Sequence, residues 1–314
     1  MTMYTPIDQI PTMEVEHLLT GFSNLDRMFG EGPPLGAVSL LAGEGGTGKS
    51  RLSLEIASFV NRDEMKVLYF QLEMALPMFK KYLNGKKIDS TRFAVSELTA
   101  HDKMIEAIRD YRPNLVVIDS VNMIEDAHNT FVVREMMKKF LKTAQELNCH
   151  IMMIGQLGKD KKVKGSTDWV YLPDIICHLR RVDVDKNMVK NLFDNVDKRY
   201  KNSAAKKKIE WLADMDKELK KRFIVSIPSK NRFGPVGNAV TMKHFDEGIK
   251  QVGGQSTFDE SFTGGVEYPS ITFADKITQK EVQESFDYCN DYTYTNQPTG
   301  LMDRFVALCR NLSV

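Results

Sequence analysis

The 314 residues suffice for one large α/β domain with an appendage, or for two small domains. With 42% hydrophobic and 27% charged residues the chain has a globular composition, and apolar runs such as Leu115 to Ile118 are far too short to span a bilayer, so no membrane segment is expected. The net charge of +1 excludes no partner by itself, but its distribution is uneven: Arg180 to Arg222 is lysine-rich and the tail beyond Lys250 is acidic.

Met1 to Ile10 lacks a basic stretch followed by an apolar one, so no secretory signal is expected and the reading is cytoplasmic. Cys149, Cys177, Cys289 and Cys309 are widely spaced without a C-x-x-C, which suits reduced, mostly buried thiols rather than zinc. Residues 1–19, with two prolines and no helical period, are expected to form an extended arm on a neighbour or on the domain's own flank.

Regular alternation begins after the arm. Val38 to Ala42 reads as a buried strand, and Ser50 to Asn61, with apolar Leu52, Leu54, Ile56 and Phe59, reads as a helix. Between them lies Gly43-Glu44-Gly45-Gly46-Thr47-Gly48-Lys49-Ser50, the G-x-x-x-x-G-K-S phosphate loop in the strand-to-helix context that the motif requires. Its backbone N–H groups suit the β-phosphate of ATP, Lys49 the β/γ oxygens, and the Ser50 hydroxyl Mg²⁺.

Further strands are expected at Lys66–Gln71, Leu115–Asp119, His150–Gly155, Ile175–Leu179 and Arg222–Ser226, and helices at Leu76–Leu83, His101–Tyr111 and Val132–Leu147. This order predicts an α/β fold with a mostly parallel sheet covered by helices on both faces. Asp119 ends its apolar strand as a second Mg²⁺ residue, the alternative being a helix cap. Glu73, after the strand ending at Gln71, suits a base for the attacking water; the alternative is a solvated carboxylate at a helix N-terminus. Gln156 ends the next strand in an amide that can hydrogen-bond the γ-phosphate.

Taken together, Thr20-Gly21-Phe22-x-x-Leu25-Asp26, the phosphate loop, Leu72-Glu73-Met74, Val116-Val117-Ile118-Asp119-Ser120 and above all Lys230-Asn231-Arg232-Phe233-Gly234 resemble the ATPase core of the bacterial RadA (Sms) proteins. These are RecA-like P-loop ATPases similar in mechanism to the DnaB helicases. The resemblance covers residues 18–250 and is interrupted by a lysine-rich insert over 183–222, with clusters at Lys198-Arg199, Lys206-Lys207-Lys208 and Lys220-Lys221-Arg222. The family's four-cysteine zinc module and Lon-protease-like domain have no counterpart in these residues, and its Pro-Arg after the loop glycine is Ser166-Thr167 here. Such a trimmed core suits a compact genome, in a bacterial or phage-infected cell.

The resemblance implies a domain over 20–250, followed by a linker and tail over 251–314 that ends in an amphipathic helix at Leu301–Asn311. It implies that Lys230 and Arg232 project into the nucleotide of the next subunit; a phosphate or DNA contact, or a solvated turn before Pro235, is the alternative. It also implies that Lys159, Lys161, Lys162 and Lys164 face DNA in the channel of a ring, against the alternative of a solvated loop. The function expected on that basis is an ATP- and Mg²⁺-dependent DNA motor in recombination, repair or replication, a homo-oligomer in the form of a hexameric ring on single-stranded or branched DNA, with helicase activity and recombination or replication partners. A RecA-type recombinase filament and a KaiC-like ATP-dependent switch acting on protein partners stand beside it.

Overall fold

The structure, a computed structural model, describes residues 7–9, 14–158, 163–181, 221–246 and 248–251. Lys159, Lys161 and Lys162, the insert clusters at 198–199 and 206–208, Cys289, Cys309, the linker beyond residue 251 and the expected helix at Leu301–Asn311 lie outside the described residues. The chain divides into two compact units, Met1–Leu179 with Val225–Val240, and Arg180–Ile224 with Thr241–Val314.

In the first unit a 3₁₀ turn at Ile7–Gln9 precedes a segment that lies on the domain's own flank. The Leu18 N–H donates to Pro33 O, the Leu35 N–H donates to Glu16 O, and the Leu18 side chain is buried. The helix α1 (Ser23–Phe29) follows, fastened at its start where Asp26 Oδ1 accepts both the N–H and the hydroxyl of Thr20. The Thr20-Gly21-Phe22-x-x-Leu25-Asp26 motif thus closes a local turn.

The chain continues through β1 (Val38–Gly43), α2 (Lys49–Arg62), β2 (Val67–Gln71), α3 (Leu76–Leu83), β3 (Phe93–Ser96), α4 (His101–Tyr111) and β4 (Leu115–Asp119). After these come α5 (Thr130–Leu147), β5 (His150–Gln156), α6 (Asp168–Tyr171), β6 (Ile175–Arg181) and β7 (Arg222–Ser226). Within the described residues the expected strands and helices are present, most within a residue or two of their expected ends. The helix α5 begins earlier than its apolar period suggests because Asn129 caps it, its Oδ1 accepting the Phe131 and Val132 N–H groups at 3.0 and 3.3 Å.

Six of the strands run in the order β3-β2-β4-β5-β1-β6, each neighbouring pair parallel. Strands β1, β2 and β4 are buried along their whole length, as continuous apolar runs in a sheet covered on both faces must be. One core joins Leu40, Phe70, Ile118 and Met153 of the sheet to Met104 and Ile108 of α4 and Met136 and Phe140 of α5. Each such side chain contributes about 1.5–3 kcal/mol on burial. The helix α2 packs on β1, β2, β4 and β5.

In the second unit β8 (Ala239–His244) and β9 (Ile249–Gln251) pair antiparallel, with Met242 opposite Gln251. The Phe223 ring lies 4.6 Å from the His244 ring there.

The parallel arrangement decides where the chemistry lies. The carboxyl ends of β1, β2, β4 and β5 fall on one edge, which gathers the phosphate loop, Glu73, Asp119 and Gln156.

Candidate active site

The phosphate loop turns sharply from β1 into α2. Gly48, the residue capping α2, sits at φ 98°, a left-handed conformation that a side chain would strain. The α2 N-terminus opens at the loop, where the helix dipole favours an anion. Lys49 Nζ donates to the carbonyls of Gly43 and Glu44, each at 2.8 Å. Burial pushes the Lys49 ammonium below its ordinary pKa and the charge of Lys164 adds to this, while Glu73, Asp119 and Glu44 hold it up.

Asp119, at the end of β4, is 1% exposed. Its Oδ2 accepts the Tyr69 hydroxyl at 2.9 Å, and that hydroxyl lies 3.0 Å from Ser53 Oγ. Its Oδ1 has no hydrogen-bond partner among the described residues. Burial raises the Asp119 pKa, opposed by the hydroxyls of Ser50 and Tyr69 and by Lys49, and reinforced by Glu73. Among the described residues no group of three or more His, Cys, Asp or Glu could hold a metal alone. A buried carboxylate with an unpartnered oxygen beside the Ser50 hydroxyl fits Mg²⁺, which keeps waters and takes its other ligands from phosphates.

Glu73 leaves β2 with its backbone fixed by Gln71, whose Oε1 accepts the N–H groups of Glu73 and Met74 at 3.1 and 3.0 Å. Its carboxylate accepts the Ser120 hydroxyl. Gln156 ends β5 directly opposite Gly43 in the sheet register. Asn122 Oδ1 accepts its N–H at 3.0 Å, and its own Oε1 accepts Lys164 Nζ at 3.1 Å. Lys164, alone among the four loop lysines within the described residues, is thus found against Gln156.

The Lys230-Asn231-Arg232-Phe233-Gly234 segment lies elsewhere. Arg232 Nη1 donates to Asp174 Oδ1 at 2.7 Å, and Asp174 Oδ2 accepts the Val38 N–H at 3.0 Å. The Ile176 N–H donates to Lys230 O, and Lys230 Nζ to Tyr171 O. Asn231 Nδ2 donates to Phe29 O and holds the turn against the end of α1. Burial and the charge of Arg232 push the Lys230 ammonium pKa down, while Asp174 pulls it up. Both cations therefore stand at the amino end of β1 and β6, the opposite edge from Lys49.

Sequence reasoning gave no role to Tyr69, Ser120, Asn122 or Asp174. Tyr69 is an apolar-looking residue within a strand and Asp174 an isolated carboxylate before one, and each acquires its role only from the residue that the fold brings opposite.

Residues 5–162 match the AAA domain family, half of the chain. The chain is similar to the DNA repair protein RadA of Aquifex aeolicus, 26% identical over 263 residues covering 82% of this chain and 51% of that protein. It is also similar to the DNA repair protein RadA of Mycolicibacterium smegmatis, 29% identical over 185 residues, and of Bacillus subtilis, 24% over 180 residues, each match covering 55% of this chain and 39% of the relative. The chain spans about half or less of the length of these curated relatives. A phosphate loop between a buried strand and its helix, a parallel sheet carrying polar residues on one edge, and these likenesses converge: the chain belongs to the AAA domain family and carries a RadA/Sms-like, RecA-type ATPase core.

Proposed function

We propose that this ATPase is a DNA repair or recombination motor that works as a homo-oligomeric ring on single-stranded or branched DNA. Each ATP would lie between two subunits, one giving the phosphate loop and the other Lys230 and Arg232. The observation that carries this reading is the separation of those groups within one chain. Arg232 is tied through Asp174 to the first residue of β1, whereas the phosphate loop begins at its last residue. The strand between them is about 17 Å long at roughly 3.3 Å per residue. No arginine side chain spans that distance, so Arg232 does not reach the nucleotide of its own chain, which supports a role at a neighbour's.

In this mechanism Lys49 exchanges its two loop carbonyls for the β/γ oxygens of ATP. Ser50 and Asp119 would hold Mg²⁺, which when bound neutralises phosphate charge. Glu73 orients the attacking water and accepts its proton as the oxygen bonds to the γ-phosphorus and the bond to the β-phosphate oxygen breaks. The Gln156 amide donates to the γ-phosphate, and the neighbour's cations stabilise the charge that develops. Lys159, Lys161 and Lys162 contact the DNA backbone without regard to sequence. No helix among the described residues is long and apolar enough to cross a membrane, and a cytoplasmic site of action belongs to the proposal.

The test is ATP turnover with and without single-stranded DNA, alongside particle imaging. Stimulation by DNA and closed rings are expected. Turnover indifferent to DNA would favour a switch acting on proteins, and filaments in place of rings would favour a recombinase.

A further inference from the structure

Lys164 belongs to a loop whose lysines would serve DNA, yet its ammonium points to the nucleotide edge of the sheet. Three contacts fix it there. Lys164 N–H donates to Gln156 O at 2.8 Å, Asn122 Nδ2 donates to Lys164 O at 2.6 Å, and Lys164 Nζ donates to Gln156 Oε1 at 3.1 Å. Asn122 also accepts the Gln156 N–H, so one side chain clamps both backbones. The loop residue and the strand end are a single hydrogen-bonded assembly.

The orientation of the Gln156 amide matters more than its position. A carboxamide has an accepting oxygen and a donating nitrogen of nearly the same shape, and only its partners decide which faces where. An ammonium can only donate, so Lys164 holds Oε1 and turns Nε2 the other way. Nε2 lies at the phosphate loop, 3.0 Å from the place that a Cβ on Gly45 would occupy. A donor therefore faces the anion site, where an amide flipped by half a turn would present an oxygen and repel a phosphate. The Lys164 charge is felt at Lys49 as well, which marks it as close to the same anion site.

We propose that Lys164 is a positioning residue of the nucleotide site, which locks the Gln156 amide with its donor toward the γ-phosphate and so makes the preference for ATP over ADP depend on it. The inference rests on the reading above in which Gln156 contacts the γ-phosphate. It gives Lys164 a different task from Lys159, Lys161 and Lys162. A hydrogen bond to a charged group contributes about 1.5–3 kcal/mol, so its loss corresponds to roughly a tenfold change or more in affinity.

The test compares the affinities of a non-hydrolysable β,γ-imido ATP analogue and of ADP, both with Mg²⁺ and without DNA, in the full chain. Lys164→Ala should lower the ratio of analogue to ADP affinity about tenfold while ADP affinity changes by less than about twofold, because ADP lacks the group that Gln156 meets. Lys164→Arg, which still donates to Oε1, should restore most of the ratio. Gln156→Ala should lower it as Lys164→Ala does, and the double variant no further. A wild-type ratio in Lys164→Ala with a lowered ratio in Gln156→Ala overturns the role of Lys164 alone. An unchanged ratio in Gln156→Ala overturns the γ-phosphate reading of Gln156, and the inference with it. A Lys164→Ala chain whose ratio is intact but whose single-stranded DNA affinity depends less steeply on salt would return Lys164 to the DNA-contacting lysines.

Discussion

Arg232 and Asp174 form an ion pair at 2.7 Å in which the carboxylate is buried and the guanidinium largely exposed. The pair fastens the Lys230-to-Gly234 turn to the start of β1 through the second oxygen of Asp174, while leaving the Arg232 head accessible from outside. Within this chain the turn is a structural clasp. In the proposed ring the same exposed head would face a phosphate of the neighbouring subunit's nucleotide.

The surroundings of Asp119 disfavour a charge on its carboxyl group. Burial raises its carboxyl pKa, so in the absence of metal the ionised form costs stability at neutral pH, and the cost is relieved as pH falls through the raised value. Asp119→Asn keeps an acceptor for the Tyr69 hydroxyl and removes the charge. The variant should therefore lose Mg²⁺-dependent hydrolysis yet melt higher than wild type without Mg²⁺, by roughly 2–4 °C for each kcal/mol of cost relieved. Thermal melts with EDTA and with Mg²⁺ check this. A lower melting temperature in EDTA would mean that the charge is already compensated in the free protein.

His150 makes the fold sensitive to acid. Its Nδ1 must donate to Pro34 O at 2.8 Å, since a carbonyl only accepts, so Nε2 accepts the Ser39 hydroxyl at 2.8 Å and the ring is neutral. Burial, opposed by the Pro34 carbonyl and Asp174, lowers its pKa from 6.5 to about 4. The unfolded chain then binds a proton that the folded chain refuses, so this contribution is whole above pH 6.5 and is lost as pH falls toward 4, about 3 kcal/mol in all. Urea unfolding at a series of pH values should show the loss in wild type and a shallower one in His150→Asn. Equal slopes would place the acid sensitivity elsewhere.

Glu73→Gln should preserve nucleotide affinity and slow hydrolysis about 10²-fold or more, because the amide can keep the Ser120 contact and cannot take the proton. Single-turnover hydrolysis, read beside equilibrium binding of the β,γ-imido analogue, separates the two effects. Normal turnover in this variant would move the base to another residue.

Replacing Lys159, Lys161 and Lys162 together by Ala should weaken single-stranded DNA binding and flatten its dependence on salt, since each lost phosphate contact removes a released counterion. ATP turnover without DNA should be unaffected. An unchanged salt slope would move the DNA contact to the lysines of the insert.

The central strands were legible because they are continuous apolar runs buried along their whole length. Leu115 to Ile118 can be little else, and a phosphate loop that follows one strand dictates a parallel neighbour. The short elements were not legible. Strand β3 has only Phe93 buried, α6 spans four residues, and α1 buries just Leu25, Met28 and Phe29, so none repeats often enough to show a period. In the site, the residues that follow strands could be read from strand ends alone, but Tyr69 could not. It faces Val117 across the β2–β4 pairing, which brings Asp119, two residues on, to the same face. That pairing joins strands separated in sequence by β3, and no local pattern reports it. Lys164 was obscured in the same way, since its partner Asn122 comes from a turn beyond a different strand.

The most direct measurement mixes two inactive proteins. A Lys49→Ala subunit keeps its Lys230 and Arg232, and an Arg232→Gln subunit keeps its phosphate loop while the glutamine can still donate to Asp174 and preserve the clasp. If ATP is hydrolysed between subunits, an interface formed by the phosphate loop of the second and the cations of the first contains every group required. ATPase rate across a titration of mixing ratios, under conditions that allow subunit exchange, should rise from near zero at either end to a maximum between them. A flat, inactive profile in verified mixed assemblies would contradict the shared site and with it the proposed ring.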